Sequence, residues 1–336
     1  MSYLDPRAGQ ASGNDTGTPS DGVPYADFRH QPPGWRRPEP ASQADEVSTP
    51  PVEKRRGRRR AGKPSAGRNL PAAIAVGVGL VLAVLLSLIF KPAAFLGVLL
   101  VAAGAGVWEM ARALRATGAD APLVPLLAGA LLMTGLARYG GPDALLLGLV
   151  ATILAAVLWR LADGVTAVRR DLMASVLVAV YVPFLLGFAV LLQQPDPATD
   201  GRWRVLCTLL AVVLSDTGGY VVGVFFGRRK MAPSISPGKT WEGFAGSIGA
   251  AAIGSSLLLY FLLDIPFYWG LLFGAVLSAV AVVGDLGESM LKRDLGIKDM
   301  SNLLPGHGGV MDRLDSILFA VPPAYLLFAL IAANQQ

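Results

Sequence analysis

Residues 70–90 read LPAAIAVGVGLVLAVLLSLIF, an apolar run without a charged side chain. A helix of about 20 such residues can cross a bilayer. Eight more apolar segments follow, roughly at 92–112, 121–137, 143–161, 172–192, 204–226, 243–263, 268–287 and 315–333. Of the 336 residues, 53% are hydrophobic and 16% charged, whereas soluble domains carry about a quarter charged residues. The sequence predicts an all-α polytopic membrane protein with about nine transmembrane helices.

Residues 1–69 have a different composition, rich in Pro, Gly, Ser, Asp and Arg and almost without aliphatic runs. Such a segment lacks the hydrophobic content to fold, so it is predicted to be a disordered basic cytoplasmic tail before a transmembrane domain at 70–336. The basic run at 54–60 favours a juxtamembrane cluster that contacts anionic headgroups over a nucleic-acid site. No nucleic-acid partner is expected.

Charge sets the predicted orientation. When the tail is placed inside and the helices alternate, the only Lys and Arg residues on outer loops are Lys91, Arg138, Arg202 and Arg204, and the others lie inside. Inner loops of membrane proteins carry this excess of positive charge. The N-terminus is therefore predicted to be cytoplasmic and the C-terminus outside.

Polar residues that suggest chemistry cluster around the inner loops at 227–243 and 287–315. Asp285, Glu288, Ser289 and Lys292 follow at i, i+3, i+4 and i+7, so they share one stripe of a helix. Acidic residues at membrane depth are costly and usually functional. The stripe predicts a cation site, and polar contacts between helices are the alternative.

The second loop combines charge with glycine. Its glycines, at 306, 308 and 309, would let backbone N–H groups approach an anion just before a helix N-terminus, which favours negative charge. Asp312 and Asp315 open that helix, and capping alone is a credible role for Asp315. Asp216 lies inside an earlier apolar run, which is followed by the loop SPGKTWEG at 236–243.

Carboxylates, Lys and Arg side chains and a glycine-rich turn together suit one task. Mg²⁺ prefers hard oxygen ligands and binds through carboxylates plus substrate phosphates, while Lys and Arg hold the remaining phosphate oxygens. The combination predicts nucleotide phosphate handling at the membrane surface. Only two histidines, His30 and His307, occur in the chain, which argues against a His-built zinc site.

The stretch SMLKRDLGIKDMSNLLPGHGGVMDRLD at 289–315 resembles the signature of phosphatidate cytidylyltransferases, the CDP-diacylglycerol synthases. The runs SDTGGY at 215–220 and SPGKTWEG at 236–243 are also similar to family features. One departure is Gly238, where many relatives carry a second lysine. The resemblance is firm over 205–320 and lies only in the general pattern of the earlier helices.

The resemblance implies a homodimeric enzyme of the bacterial plasma membrane, in contact with membrane lipids. Its reaction joins CTP and phosphatidate of the cytoplasmic leaflet to give CDP-diacylglycerol and diphosphate. It also implies a cytoplasm-facing Mg²⁺ site, with a second cation left open, held by Asp285 and Asp312 and helped by Asp315 and Asp216.

Roles for the remaining polar residues follow from the same reasoning. The catalytic candidates are Asp285, Lys292, Arg293, Asp312 and Arg313. The substrate-binding candidates are Ser236, Lys239, Thr240, Ser289, Lys298, His307, Gly308 and Gly309.

Two other functions remain open at this point, a CTP-dependent lipid kinase and a secondary transporter. A CDP-alcohol phosphotransferase is rejected, because the faintly similar run at 163–169 has its arginine one position late and lacks the paired downstream aspartates. Release of diphosphate from CTP separates the predicted reaction from all three.

Overall fold

The computed structural model describes residues 70–163, 168–194 and 200–335. All of them fall within one compact unit, Gly62–Gln336. The predicted disordered tail, 1–69, lies outside the described residues.

The described residues are mostly helical. The elements in chain order are α1 (Leu70–Phe90), α2 (Pro92–Arg115), α3 (Leu123–Asp163), α4 (Val168–Ala179), a π-helical turn (Val180–Phe184), α5 (Leu185–Leu192), α6 (Gly201–Phe226), β1 (Lys230–Ala232), β2 (Ser236–Thr240), α7 (Trp241–Leu263), α8 (Phe267–Asp294) and α9 (Met311–Gln335). The two short strands form an antiparallel hairpin in the first inner loop, a segment that the sequence predicted only as a loop.

Within the described ranges, seven spans are long and apolar enough to cross a membrane when α4, the π-helical turn and α5 are counted as one. An eighth apolar stretch, Ile74–Phe90 in α1, is shorter. The all-α polytopic membrane architecture is therefore confirmed. The number of nine crossings and the side of each terminus stay predictions.

Two helices are interrupted in ways that the sequence explains. α3 covers the predicted segment 143–161 and all but the first two residues of 121–137. It breaks at Gly141, whose φ of 76° favours glycine, just before Pro142. The π-helical turn between α4 and α5 contains Pro183, which has no N–H to donate. The interruption at Gly141 falls in the gap that hydropathy left between the two predicted segments.

Capping side chains define the first residues of α6 and α7, the two helices that flank the first inner loop. The carboxylate of Asp200 accepts the N–H of Arg202 at 2.9 Å at the start of α6. The hydroxyl of Thr240 accepts the N–H of Gly243 at 3.1 Å at the start of α7. Both bonds satisfy donors that a helix N-terminus leaves free.

Helices α6, α7 and α8 pack through small residues. A Cβ at Gly246 of α7 would lie 2.9 Å from the carbonyl oxygen of Gly218 in α6, and one at Gly274 of α8 would overlap the carbonyl oxygen of Ala251 in α7. Close backbone approach through small residues is how membrane helices pack in the absence of a hydrophobic driving force. This packing brings the polar positions of α6 and α8 to one region.

Candidate active site

The hairpin after α6 places a lysine against the acidic stripe of α8. Lys239, near the end of β2, has its Nζ 2.6 Å from Oδ2 of Asp285, and the two side chains are 23% and 32% exposed. The same ammonium group donates to the carbonyl oxygen of Val282 at 3.4 Å. Glu242 steadies the base of the hairpin, since its carboxylate accepts the N–H groups of Arg228 and Arg229.

A cavity of about 460 Å³ lies around this ion pair, walled by α6, the hairpin, α7 and α8. Its polar wall includes Asp216, Lys239 and Asp285, and its apolar wall includes Tyr220 and Phe244. It therefore combines charge with aromatic surface inside the membrane domain. We call it the membrane cavity.

The acidic stripe continues along α8 to a second ion pair. Lys292 Nζ lies 2.9 Å from Oδ1 of Asp312 and 3.2 Å from Oε1 of Glu288. Glu288 is fully buried, and no donor among the described residues gives either of its oxygens a hydrogen bond of good geometry. Ser289 donates to Asp285 at 3.3 Å. The stripe predicted from spacing thus exists, and one lysine joins it to α9.

Asp312 is the most extensively bonded of the predicted metal ligands. Its Oδ2 accepts the N–H of Met300 at 2.9 Å and the N–H of Gly309 at 2.8 Å, while Oδ1 accepts from Lys292. The side chain is buried. Asp312 therefore ties the second inner loop to the start of α9 as well as carrying charge.

The predicted metal ligands lie on three helices. Asp216 of α6 and Asp285 of α8 both line the membrane cavity, and Asp312 and Asp315 lie near the start of α9. Within the ranges that the structure describes, no three acidic, His or Cys side chains converge as a ready-made metal cage. Lysine ammonium groups lie instead against Asp285 and Asp312. Oxygen donors that already bind cations fit the hard ligand set that Mg²⁺ prefers.

The second inner loop encloses a separate cavity of about 340 Å³, which we call the loop cavity. The loop turns tightly, because Leu304 donates to the carbonyl oxygen of Gly308 at 2.8 Å and His307 to that of Leu304 at 2.9 Å. Nδ1 of His307 is buried, and no protein atom among the described residues bonds it. The lining residues are Asp299, Asn302, Leu304, Pro305, Gly306, His307, Gly308 and Arg313.

Comparison of the sequence with known proteins places the chain in a family. The sequence model of the cytidylyltransferase family matches residues 71–331. The phosphatidate cytidylyltransferase of Mycobacterium leprae is 39% identical over 284 residues, covering 80% of this chain and 90% of its own length. The chain belongs to the cytidylyltransferase family. The enzymes of the same name from Mycobacterium tuberculosis and Bacillus subtilis are 39% and 40% identical over 79% and 46% of this chain, and over 84% and 58% of their own lengths.

Within this family member, the structure places the predicted residues in three groups. Lys239, Thr240 and Asp285 line the membrane cavity, together with Asp216, while Ser289, Lys292, Asp312 and Asp315 continue from it along α8 and α9. Thr240 also caps α7. His307, Gly308 and Arg313 line the loop cavity. The roles of these residues stay predictions.

The remaining candidates lie at the edges of these groups. Arg293 and Lys298 are exposed, and Arg293 reaches the hairpin turn at the carbonyl oxygen of Ile235, 3.4 Å away. Ser236 pairs with Ala232 in the hairpin. The N–H of Gly309, predicted to bind substrate, is bonded to Asp312 in this structure.

Sequence reasoning missed Glu109, a buried carboxylate of this region. It is fully buried on α2, and its carboxylate accepts hydrogen bonds from Ser301, Val310 and Met311. A signal was available, because Glu109 is an acidic residue inside the predicted segment 92–112, where a charge is costly. Its partners are roughly 200 residues away in the chain, so spacing alone could not name them.

Proposed function

We propose that this protein transfers the cytidylyl group of CTP to phosphatidate, which forms CDP-diacylglycerol for phospholipid synthesis in a bacterial plasma membrane. Membership of the cytidylyltransferase family and the printed names of its relatives support the reaction. The observation that carries the proposal is the pair of lysine–aspartate contacts, Lys239–Asp285 and Lys292–Asp312, set among membrane helices. A site for two phosphate-bearing substrates needs positive side chains to bind phosphate oxygens and carboxylates to bind a divalent cation.

The reaction needs no strong general base. An oxygen of the phosphatidate phosphate attacks the α-phosphorus of CTP, and the bond from that phosphorus to the oxygen bridging to the β-phosphate breaks. The electron pair of that bond leaves with diphosphate. A phosphomonoester has its second pKa at about 6, so the attacking group is largely ionised near neutral pH. Positioning and electrostatic stabilisation therefore carry the catalysis.

Mg²⁺ belongs to this proposal as the divalent cation, with Asp285 and Asp312 as its ligands and Asp216 and Asp315 beside them. When bound, it would neutralise phosphate oxygens of CTP. The lysines now paired with these carboxylates are then available to phosphate groups. Lys239 and Lys292 thus serve to hold the substrate anions and to offset the charge that develops on diphosphate.

The two cavities suggest a division between the substrates. The membrane cavity is bounded by transmembrane helices and presents Tyr220 and Phe244 beside Lys239, which suits a phosphate headgroup with acyl chains. The loop cavity is polar and holds Arg313, Asn302 and Asp299, which suits a base and its phosphates. Lys292 and Asp312 pair between α8, which carries Asp285 of the membrane cavity, and α9, which carries Arg313 of the loop cavity. We therefore place the reacting phosphates beside this pair.

A cytoplasmic site and a homodimer complete the proposal. The second inner loop contains most of the signature stretch, and we call it the signature loop. It follows α8, whose last turn carries Lys292 and Arg293, and positively charged loops are typically cytoplasmic. CTP is supplied from that side. The homodimer rests on the resemblance to the family and is tested by the mass of the purified protein in detergent.

The deciding experiment supplies membranes that contain the protein with labelled CTP, phosphatidate and Mg²⁺. The expected products are labelled CDP-diacylglycerol and an equal amount of diphosphate, and chelation of divalent cations should stop both until Mg²⁺ is restored. A lipid kinase would release CDP instead, and a transporter would leave CTP intact. Either outcome would refute the proposal.

The substrate division is tested by Lys239→Gln, with Lys230→Gln as the matched control on the exposed end of the same hairpin. Loss of the Lys239 charge should raise KM for phosphatidate more than KM for CTP. Lys230→Gln should leave both constants unchanged. A KM increase for CTP alone would reverse the assignment of the membrane cavity.

A further inference from the structure

Glu109 is a carboxylate of α2 that binds the second inner loop at the start of α9. Its Oε1 accepts the hydroxyl of Ser301 at 2.6 Å and the N–H of Val310 at 2.9 Å, and its Oε2 accepts the N–H of Met311 at 2.8 Å. The residue is fully buried. Three donors from a distant part of the chain therefore converge on one charge.

The approach of this carboxylate depends on Gly309. A Cβ at that position would lie 2.7 Å from Oε2 and 2.8 Å from Oε1 of Glu109. The N–H groups that Glu109 accepts belong to the residues at the α9 N-terminus, which have no partner within the helix and favour negative charge. Glu109 thus occupies the anion position that the glycine-rich loop predicted for a substrate phosphate.

The same few residues hold Asp312. The N–H of Gly309 bonds Asp312, and the N–H groups of the next two residues bond Glu109. On the other side of the loop, Met300 donates to Asp312 while the neighbouring Ser301 donates to Glu109. The two carboxylates therefore share the loop between them, and the position of Asp312 depends on Glu109.

We propose that Glu109 is a positioning residue for cytidylyl transfer, which fixes the signature loop so that Asp312 and Lys292 meet the reacting phosphates. This inference rests on the proposed function. Glu109 acts through the loop and touches no substrate. Replacing a residue that orients a functional side chain through hydrogen bonds lowers activity or metal affinity by about 10–100-fold.

The first test compares Glu109→Gln with Asp171→Asn. Asp171 is another buried carboxylate that links distant segments, since it accepts the N–H of Asp120 at 2.8 Å, but it lies outside both cavities. Each oxygen of Glu109 accepts a backbone N–H, so the NH₂ group of Gln would face a donor in place of an acceptor at one of them. We expect Glu109→Gln to lower kcat by about 10–100-fold, with little change in KM for phosphatidate. Asp171→Asn should lower thermal stability and leave kcat per folded molecule unchanged.

The second test exploits the contact with Gly309. Gly309→Ala should lower kcat in the wild-type background, because its methyl group meets the Glu109 carboxylate. In a Glu109→Asp background the shorter side chain makes room, so the same Gly309→Ala change should cost less. Equal losses in both backgrounds would show that the contact has no role in positioning.

Each result separates this inference from the proposed function. A wild-type protein without transferase activity refutes the function, whereas an active wild type with an equally active Glu109→Gln variant overturns only the positioning role. A kcat loss in Glu109→Gln that merely parallels a similar loss in Asp171→Asn also overturns it. If Glu109→Gln does not accumulate, Ser301→Ala removes one donor and should lower kcat by about 2–10-fold, and an unchanged kcat would contradict the inference.

Discussion

Replacing Asp312 with Asn tests whether its charge or its shape matters. The carboxylate accepts two backbone N–H groups on Oδ2 and Lys292 on Oδ1, with side chains only 4% and 14% exposed. An amide oxygen can keep the two backbone bonds, but its NH₂ group then faces the ammonium of Lys292. A hydrogen bond to a charged group contributes about 1.5–3 kcal/mol, so unfolding free energy should fall by about that amount.

Asp312→Asn should lower the rate of catalysis by more than its loss of stability would explain. If Asp312 binds the divalent cation, Asp312→Asn should lower cytidylyl transfer by on the order of 100-fold or more, measured per folded molecule with labelled CTP in detergent–phosphatidate micelles. Asp315→Asn is the matched control, one turn further along α9, where the carboxylate accepts only the N–H of Ser316 among the hydrogen bonds found in the described residues. That variant should be milder.

Three results can be compared directly. Asp285→Asn should lose activity as Asp312→Asn does, and raising the Mg²⁺ concentration should rescue Asp312→Asn in part. The double variant should be little worse than the worse single variant, because residues that serve one ion act as a unit. Normal turnover and normal Mg²⁺ dependence in a well-folded Asp312→Asn protein would refute the reasoning, and the carboxylate would be structural.

Further predictions address the tail, the topology and the helix packing. Deletion of residues 2–50 should leave turnover per folded molecule nearly unchanged, and a loss of activity with normal insertion would reveal a functional segment. In a Cys207→Ser background, single cysteines at 229–239 should react only from the cytoplasmic side and one at Gln335 only from outside, and the reversed pattern would contradict the orientation. Gly274→Ala should lower thermal stability, because its methyl group meets the backbone of α7; an unchanged melting temperature would show that α7 and α8 can move apart.

The helices and the acidic stripe were predictable because both depend on local sequence. Hydropathy alone located the long apolar runs, and the Gly141–Pro142 pair explains the break in α3. Likewise, helical spacing put Glu288 and Lys292 on one face, where the structure has them 3.2 Å apart. Each of these inferences uses residues only a few positions apart.

Contacts between distant segments were not predictable in the same way. Lys239 was chosen for its charge, but its ion pair with Asp285 depends on how the hairpin folds back onto α8. The loop glycines were read as a place for a substrate anion, whereas Gly309 bonds Asp312 and lies against the Glu109 carboxylate. The anion that binds a helix N-terminus is decided by tertiary packing, because a carboxylate from any helix can accept its free N–H groups.

The long sequence separation between Glu109 and its partners also matters during synthesis. Glu109 enters the membrane 192–202 residues before the donors that satisfy it exist. At about 5–20 residues per second, that interval lasts about 10–40 s. Throughout it, Glu109 lacks the three donors that it has in the folded chain. Burial of an acidic side chain without partners is costly, so we expect α2 to reach its final packing only after the start of α9 has been made.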